Sequence, residues 1–321
     1  MIKELEVKNF KSLKNLKLEC KRVNLFIGKP NTGKSNILES LGIFSFPYGD
    51  LSDFVRFENM INLFYDANLE EKIGIANDIY NFEMKFENGR FRGNCVDKIP
   101  GKPSFFHFDY DYGGKGGGGW GPATSPFRFY RFAIMREFKR PEANFLLPPR
   151  GDNLLSILQT NKALRKVVAD IFSEYGLRIV LKPQEYKIEV QKEVEDVIIS
   201  YPYSLVSDTL QRIVFHLVAI ETNKDSIIIF EEPEAHAFPF FTKFIGEKMA
   251  LDKTNQYFIS THNPYFLLSV IEKAPEDDIG IFITYFEDYQ TKVKPLAKRK
   301  LPQILDLDAN VFFNLDQFLE E

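Results

Sequence analysis

Gly28-Lys29-Pro30-Asn31-Thr32-Gly33-Lys34-Ser35 meets the pattern G-x-x-x-x-G-K-[ST] at every fixed position. A polyphosphate calls for this arrangement. Backbone N–H groups must converge on it, and the glycines let the chain close around it. The N-terminus of a following helix adds a positive dipole end. Lys34 supplies a charge for the β- and γ-phosphates, and Ser35 a hydroxyl for Mg²⁺. Pro30, Asn31, Thr32 and Gly33 complete the cradle, and Asn36 lies just beyond it. An apolar run at 23–27 precedes the loop and a helical pattern follows it, which is the context a nucleotide-binding loop requires.

Two further sets of residues belong to the same chemistry. Ile227-Ile228-Ile229-Phe230 runs into Glu231-Glu232-Pro233, so two carboxylates end an apolar strand. Open α/β sheets bind ligands at such strand ends. Glu231 is expected to hold the metal's water shell with Ser35. Glu232 is expected to orient or deprotonate the attacking water. Ser260-Thr261-His262-Asn263-Pro264 ends another buried strand. His262 should reach the same crevice and contact the γ-phosphate or the attacking water.

The elements that must position these residues are legible in outline. Residues 1–27 read as two or three strands, and a helix runs from 34 to about 44 with Ile37, Leu38, Leu41 and Ile43 on its apolar face. Residues 82–86 and 90–92 flank Glu87-Asn88-Gly89, a hairpin signal. Residues 113–119, six glycines and a lysine, read as a flexible loop. Residues 127–139 mix aromatics with basic residues. They predict a half-buried strand, and an aromatic, basic surface for nucleic acid as the sharper alternative. Asp152 is expected to cap a helix reaching about 175. Three short strands follow at 178–181, 186–190 and 197–201. From 208 onward, helices 209–221, 238–250 and 264–272 alternate with strands 226–231, 256–260 and 279–286. That alternation predicts a parallel sheet with covering helices.

Composition excludes several classes. The chain has 321 residues, 41 basic and 45 acidic, for a net charge of −4. That balance argues against a tail-driven, strongly basic nucleic-acid binder. Phenylalanine occurs 32 times and reads as core material. The two cysteines, Cys20 and Cys95, form no CxxC pair and no metal spacing, which suits a reducing compartment. No signal-peptide h-region and no apolar run near the roughly 20 residues of a membrane span is present. A cytoplasmic location and no membrane partner are the expectation.

The order of phosphate loop, long insert, carboxylate strand and histidine strand resembles the ABC-type ATPases of the SMC/RecF/OLD group, specifically their prokaryotic AAA-family members. Asn9-Phe10-Lys11-Ser12 looks like that group's opening "NF(K/R)S", and Glu232-Pro233-Glu234-Ala235-His236 looks like its "EPExH". The likeness covers 1–45 and about 145–300. It implies an α/β P-loop NTPase fold, with a mainly parallel central sheet flanked by helices, an N-terminal antiparallel β-lobe and an inserted segment. The whole of 1–321 is then one head: 1–45 strands and phosphate loop, 46–144 inserted lobe, 145–321 helical segment and core. ATP and Mg²⁺ are the implied cofactors, with Lys11 and Ser12 added to the nucleotide contacts.

In this group two heads sandwich two nucleotides, and a signature segment of one head completes the other's site. The equivalent here is Leu205-Val206-Ser207-Asp208-Thr209-Leu210-Gln211-Arg212. Val206 stands in place of the signature serine and Asp208 in place of a glycine. Asp208 and Gln211 suit a helix capping box, which leaves Ser207, Thr209 or Arg212 for the contact across the dimer. Glu231 stands where an aspartate is usual, which favours slow hydrolysis. No coiled-coil arm and no TOPRIM nuclease is evident, so an effector such as a nuclease is expected on a separate chain. The leading reading is a cytosolic Mg-dependent ATPase, a dimer or a multiple of one. It would gate a nucleic-acid process, in anti-phage defence or DNA repair, with DNA or RNA as a further ligand. The alternative is a nucleotide-gated scaffold with negligible hydrolysis that holds a partner effector. An energising subunit of a membrane transporter is disfavoured by the signature and the opening segment.

Overall fold

The computed structural model describes residues 1–99, 104–121, 124–142 and 144–319. The chain begins with β1 (Glu4–Phe10), β2 (Leu13–Glu19) and β3 (Val23–Gly28), then α1 (Lys34–Gly42) and the short α2 (Leu51–Phe54). Five strands follow: β4 (Ile73–Asn77), β5 (Tyr80–Glu87), β6 (Arg90–Asp97), β7 (Ser104–Tyr110) and β8 (Gly116–Trp120). Next come β9 (Phe127–Tyr130), α3 (Leu154–Thr160), α4 (Lys162–Ser173), β10 (Arg178–Lys182), β11 (Lys187–Val194) and β12 (Val197–Pro202). The last part holds α5 (Asp208–Thr222), β13 (Ile227–Glu231), α6 (Pro239–Leu251), β14 (Gln256–Ser260), α7 (Pro264–Lys273), β15 (Ile279–Glu287), β16 (Gln290–Pro295) and α8 (Leu301–Leu307).

The strands form three sheets. The central one has the order β16-β15-β3-β14-β13-β9, and every neighbouring pair is parallel except the β15–β16 hairpin. The lobe sheet, β2-β1-β4-β5-β6-β7-β8, is antiparallel throughout. β10, β11 and β12 form a small antiparallel sheet. The expected fold class holds: a mixed α/β molecule with an antiparallel N-terminal lobe and a mainly parallel central sheet.

The central sheet divides two cores, which is why its strands are apolar on both faces. Ile228 and Phe230 of β13 pack on the helical side with Leu25 and Ile259. Ile227 and Ile229 pack on the other side with Phe26, Ile37, Leu38 and the lobe. Aromatic rings fill the lobe core: Phe44 packs on Tyr80 and Phe127, and Phe46 on Phe106 and Phe108. That is where much of the phenylalanine goes.

Several expectations need correction. The glycine run is a loop only at 113–115, the turn after Ser104–Tyr110; Gly116–Trp120 is an edge strand paired with Ser104–Tyr110. A Cβ on Gly116 would lie 2.0 Å from the Asp109 carbonyl oxygen, so close pairing demands glycine there. The single helix expected after Asp152 is two helices. Asn161 breaks it, since its side chain accepts from the Leu164 N–H at 3.0 Å and caps α4. Asn153, not Asp152, precedes α3. The 127–139 strand stops at Tyr130. Its Arg128 lies over the Phe145 ring at 3.5 Å, and Arg131 bonds Glu39, so both are spent on internal partners. The Asp208–Gln211 capping box does not form. Asp208 lies inside the helix and pairs with Arg212 at 2.7 Å, while Gln211 donates to the Val206 carbonyl at 2.8 Å. The Glu87-Asn88-Gly89 hairpin does form, with Asn88 and Gly89 at φ 51° and 77°.

Candidate functional site

β3, β14 and β13 are adjacent and parallel, so their carboxyl ends lie along one edge of the central sheet. Glu231 is level with Ser260, and Ser260 with Phe26, two residues before Gly28. The loop at 28–35 has the backbone of a phosphate cradle. Asn31 and Gly33 have φ of 61° and 91°. A Cβ on Gly33 would come within 2.0 Å of Thr291 Oγ1, so glycine serves both the angle and the space. Gly33 precedes α1 without any side-chain cap, so the first N–H groups of that helix stay available to an anion. Pro30 and Asn31 are exposed on the loop, while Thr32 is buried and pairs with Thr284 Oγ1 at 2.7 Å.

Lys34 is nearly enclosed. Its Nζ donates to the Gly28 and Lys29 carbonyls at 2.9 and 2.8 Å. Burial lowers its pKa to about 8, against the pull of Glu232. A polyphosphate would meet an ammonium already aimed across the loop. Ser35 follows it, half-buried. Asn36 Nδ2 donates to Ser12 Oγ at 2.7 Å, and Ser12 pairs with Thr291 Oγ1 at 2.7 Å, so these two candidates brace the loop together. Lys11 is engaged elsewhere, on the Glu39 carboxylate and on the Arg56 carbonyl at 2.6 Å.

Glu232 takes a positive φ of 46°, with its N–H on the Ser260 carbonyl at 3.0 Å. Its Oε1 lies 3.5 Å from His262 Nε2. Burial, and then the Lys34 charge, hold the imidazole below its ordinary pKa, while Glu232 opposes them. A neutral imidazole beside a carboxylate suits proton handling at a water molecule. The structure thus brings Lys34, Glu232 and His262 into one electrostatic neighbourhood.

Glu231 has partners of its own. Arg56 and Arg131 approach its two oxygens at 3.3 and 3.9 Å. Both arginines also bond Glu39, at 2.6 and 3.0 Å, and Lys11 bonds the same carboxylate. Glu39 is fully buried. Sequence reasoning missed this hub of Glu39, Arg56 and Arg131. Its one signal was an acid inside the apolar stripe of α1. Ser207 stands at the N-cap of α5 without a capping bond, and Thr209 Oγ1 donates to the His236 carbonyl at 2.8 Å. The 205–212 segment therefore touches the turn after β13 within one chain, and its Leu205 is exposed.

The donor set fits a Mg-polyphosphate. Among the described residues no three His, Cys, Asp or Glu side chains cluster as a metal cage. A phosphate-bound Mg²⁺ does not need one, because phosphate oxygens, waters, a hydroxyl and a single carboxylate suffice. Cys20 and Cys95 are free and buried, and burial raises both thiols. Among the described residues no helix is long and apolar enough to cross a membrane.

Such a loop, at the end of a mainly parallel sheet with an antiparallel lobe, has the form of a P-loop nucleotide-binding fold. Comparison with known proteins agrees. Residues 1–102 match the family model described as an AAA ATPase domain. The DNA replication and repair protein RecF of Caldanaerobacter subterraneus subsp. tengcongensis is 36% identical over 106 residues, which is 31% of this chain and 27% of that protein. Protein MJECL10 of Methanocaldococcus jannaschii is 29% identical over 113 residues, 30% of this chain and 52% of that one. The matches thus span about a quarter and about half of these relatives. In fold, the chain is similar to an SMC head solved bound to the C-winged helix domain of ScpA. That likeness has a TM-score of 0.54 and 16% identity, over 93% of this chain and 99% of that one. Over its first third the sequence is similar to AAA ATPase domains and to RecF, and over nearly the whole chain the fold is similar to that of an SMC head.

Proposed function

We propose that this chain is a Mg-dependent ATPase head that binds ATP on the 28–35 loop and hydrolyses it at the carboxyl ends of β13 and β14. The observation that carries this reading is the 3.5 Å approach of Glu232 to His262 beside the buried Lys34. Lys34 and the N–H groups of α1 hold the phosphates. Mg²⁺, when bound, neutralises phosphate charge and takes Ser35 and Glu231 as its protein partners. Glu232 orients the attacking water and accepts its proton, and His262 holds the pair to the γ-phosphate. Two heads then close over two nucleotides, with Ser207 and Thr209 of one facing the other's site. The closed dimer gates a nucleic-acid process, in defence or repair, through a separate effector such as a nuclease, and DNA or RNA acts as a regulator.

One observation favours a second reading, a nucleotide-gated scaffold with negligible turnover. Arg56 and Arg131 occupy the Glu231 carboxylate, which competes with its use at a metal. Mg-dependent ATP turnover of wild type and Glu232→Gln, each with and without double-stranded DNA, separates the two. Turnover in wild type alone supports the ATPase, and DNA stimulation supports the regulator. ATP binding with turnover that is equally negligible in both supports the scaffold.

A further inference from the structure

Glu234 is a buried acid that the chemistry above leaves without a role. Only 6% of its surface is exposed. It lies two residues beyond Glu232 on the turn after β13, and its carboxylate reaches across to the turn after β14. There Oε1 accepts from the Thr261 hydroxyl at 2.6 Å and from the His262 N–H at 3.2 Å. Among the described residues, Oε2 is enclosed without a hydrogen-bond partner. An enclosed polar atom with an unmade bond costs stability. An apolar residue would avoid that cost, so the position answers to something other than stability.

The two bonds have a geometric consequence. Glu232 and His262 sit on separate turns. The Glu232 N–H is tied to Ser260, and the Thr261 N–H to the Phe26 carbonyl of β3 at 3.1 Å. The His262 N–H lies just past those sheet-edge bonds, and it is Glu234 that takes it. One carboxylate therefore spans from the turn that carries Glu232 to the main chain that carries the imidazole.

We propose that Glu234 is a positioning residue that sets the separation of Glu232 and His262 by holding the His262 main chain. Its catalytic consequence rests on the ATPase reading above, whereas its geometric consequence does not. Three variants test it: Glu234→Ala removes the strut, Glu234→Gln keeps Oε1 as an acceptor, and Thr261→Val removes one donor. The first readout is steady-state Mg-ATP turnover. Glu234→Ala should lower kcat about tenfold or more with KM within about twofold, since misplaced groups lose rate rather than affinity. Glu234→Gln should recover to within about threefold of wild type. The second readout is the NMR titration of the His262 imidazole, which needs no activity. The charges facing that ring are Lys34 and Glu232, and Glu232 raises its pKa. Glu234→Ala should shift the midpoint down, in the direction of Glu232→Gln, and Glu234→Gln should restore it. Thr261→Val should give a smaller shift of the same sign, and it serves if Glu234→Ala does not fold. A His262 titration in Glu234→Ala and Thr261→Val identical to wild type overturns the proposal, as does Glu234→Gln as impaired as Glu234→Ala. Wild-type turnover no greater than that of Glu232→Gln overturns the ATPase reading alone, because the titration still decides the role of Glu234.

Discussion

The central sheet and the lobe sheet treat charge in opposite ways. At the carboxyl ends of β3, β13 and β14, charged groups are buried or half-buried and share partners: Lys34 on the loop carbonyls, Glu39 beneath three cations, Glu231 between two arginines. On the lobe sheet, ion pairs such as Lys17 with Glu4 and Glu6, or Lys72 with Glu83, lie on open surface above an aromatic core. Surface pairs contribute little and tolerate loss. Buried charges are costly, and they persist where geometry or chemistry requires them. The difference separates the candidate site from the lobe packed against it.

The largest effect that could break this contrast is at Glu39. Glu39→Ala leaves Lys11, Arg56 and Arg131 without their common anion and should destabilise the fold by about 3–5 kcal/mol in denaturant melts. Lys17→Ala on the lobe should leave the same melt unchanged. Equal melts for the two variants would remove the distinction. Next in size, Lys34→Ala should weaken ATP binding by about 100-fold or more by calorimetry, about 2.7 kcal/mol, with the fold retained. An intact affinity would show that the nucleotide does not sit on this loop.

The lobe has its own test. Gly116→Ala puts a Cβ 2.0 Å from the Asp109 carbonyl and should cost about 1–3 kcal/mol, whereas a Cβ at Gly117 meets nothing within 4 Å. Gly117→Ala should be neutral or stabilise by up to about 1 kcal/mol. If both variants melt alike, the edge strand does not pair as described. The smallest expected effect is one of pH. Lys34 carries its proton below about 8. Raising pH through that value removes the charge that meets the phosphates. ATP affinity measured without Mg²⁺ should therefore fall on the alkaline side, by at most about tenfold per pH unit. Affinity that is flat from pH 7 to 9 would mean Lys34 keeps its proton throughout.

Much of the candidate site was legible in the sequence, because its signals are local. Glycine spacing, an apolar run ending in acids and a helix pattern after the loop each report their own element. Glu39, Arg56, Arg131 and Glu234 were not legible, because their roles arise from contacts between segments far apart in the chain. Glu39 and Arg131 are 92 residues apart, and Glu234 and His262 are 28 apart. Residues 116–119 form a strand where the sequence suggests a loop, for a related reason. Glycine weakens a strand by propensity, but here close approach to β7 outweighs propensity at Gly116 and Gly118. The helix expected after Asp152 is split in two because Asn161, which reads as one more polar position on a periodic face, acts as a cap.

The central claim is that the ends of β13 and β14 hydrolyse what the 28–35 loop binds. The most direct test measures ATP affinity and single-turnover hydrolysis on the same Glu232→Gln protein, beside wild type. The account expects affinity within about threefold of wild type and hydrolysis slower by about 100-fold or more, since a general base is removed while the phosphate cradle stays whole. Hydrolysis at the wild-type rate in Glu232→Gln would contradict it.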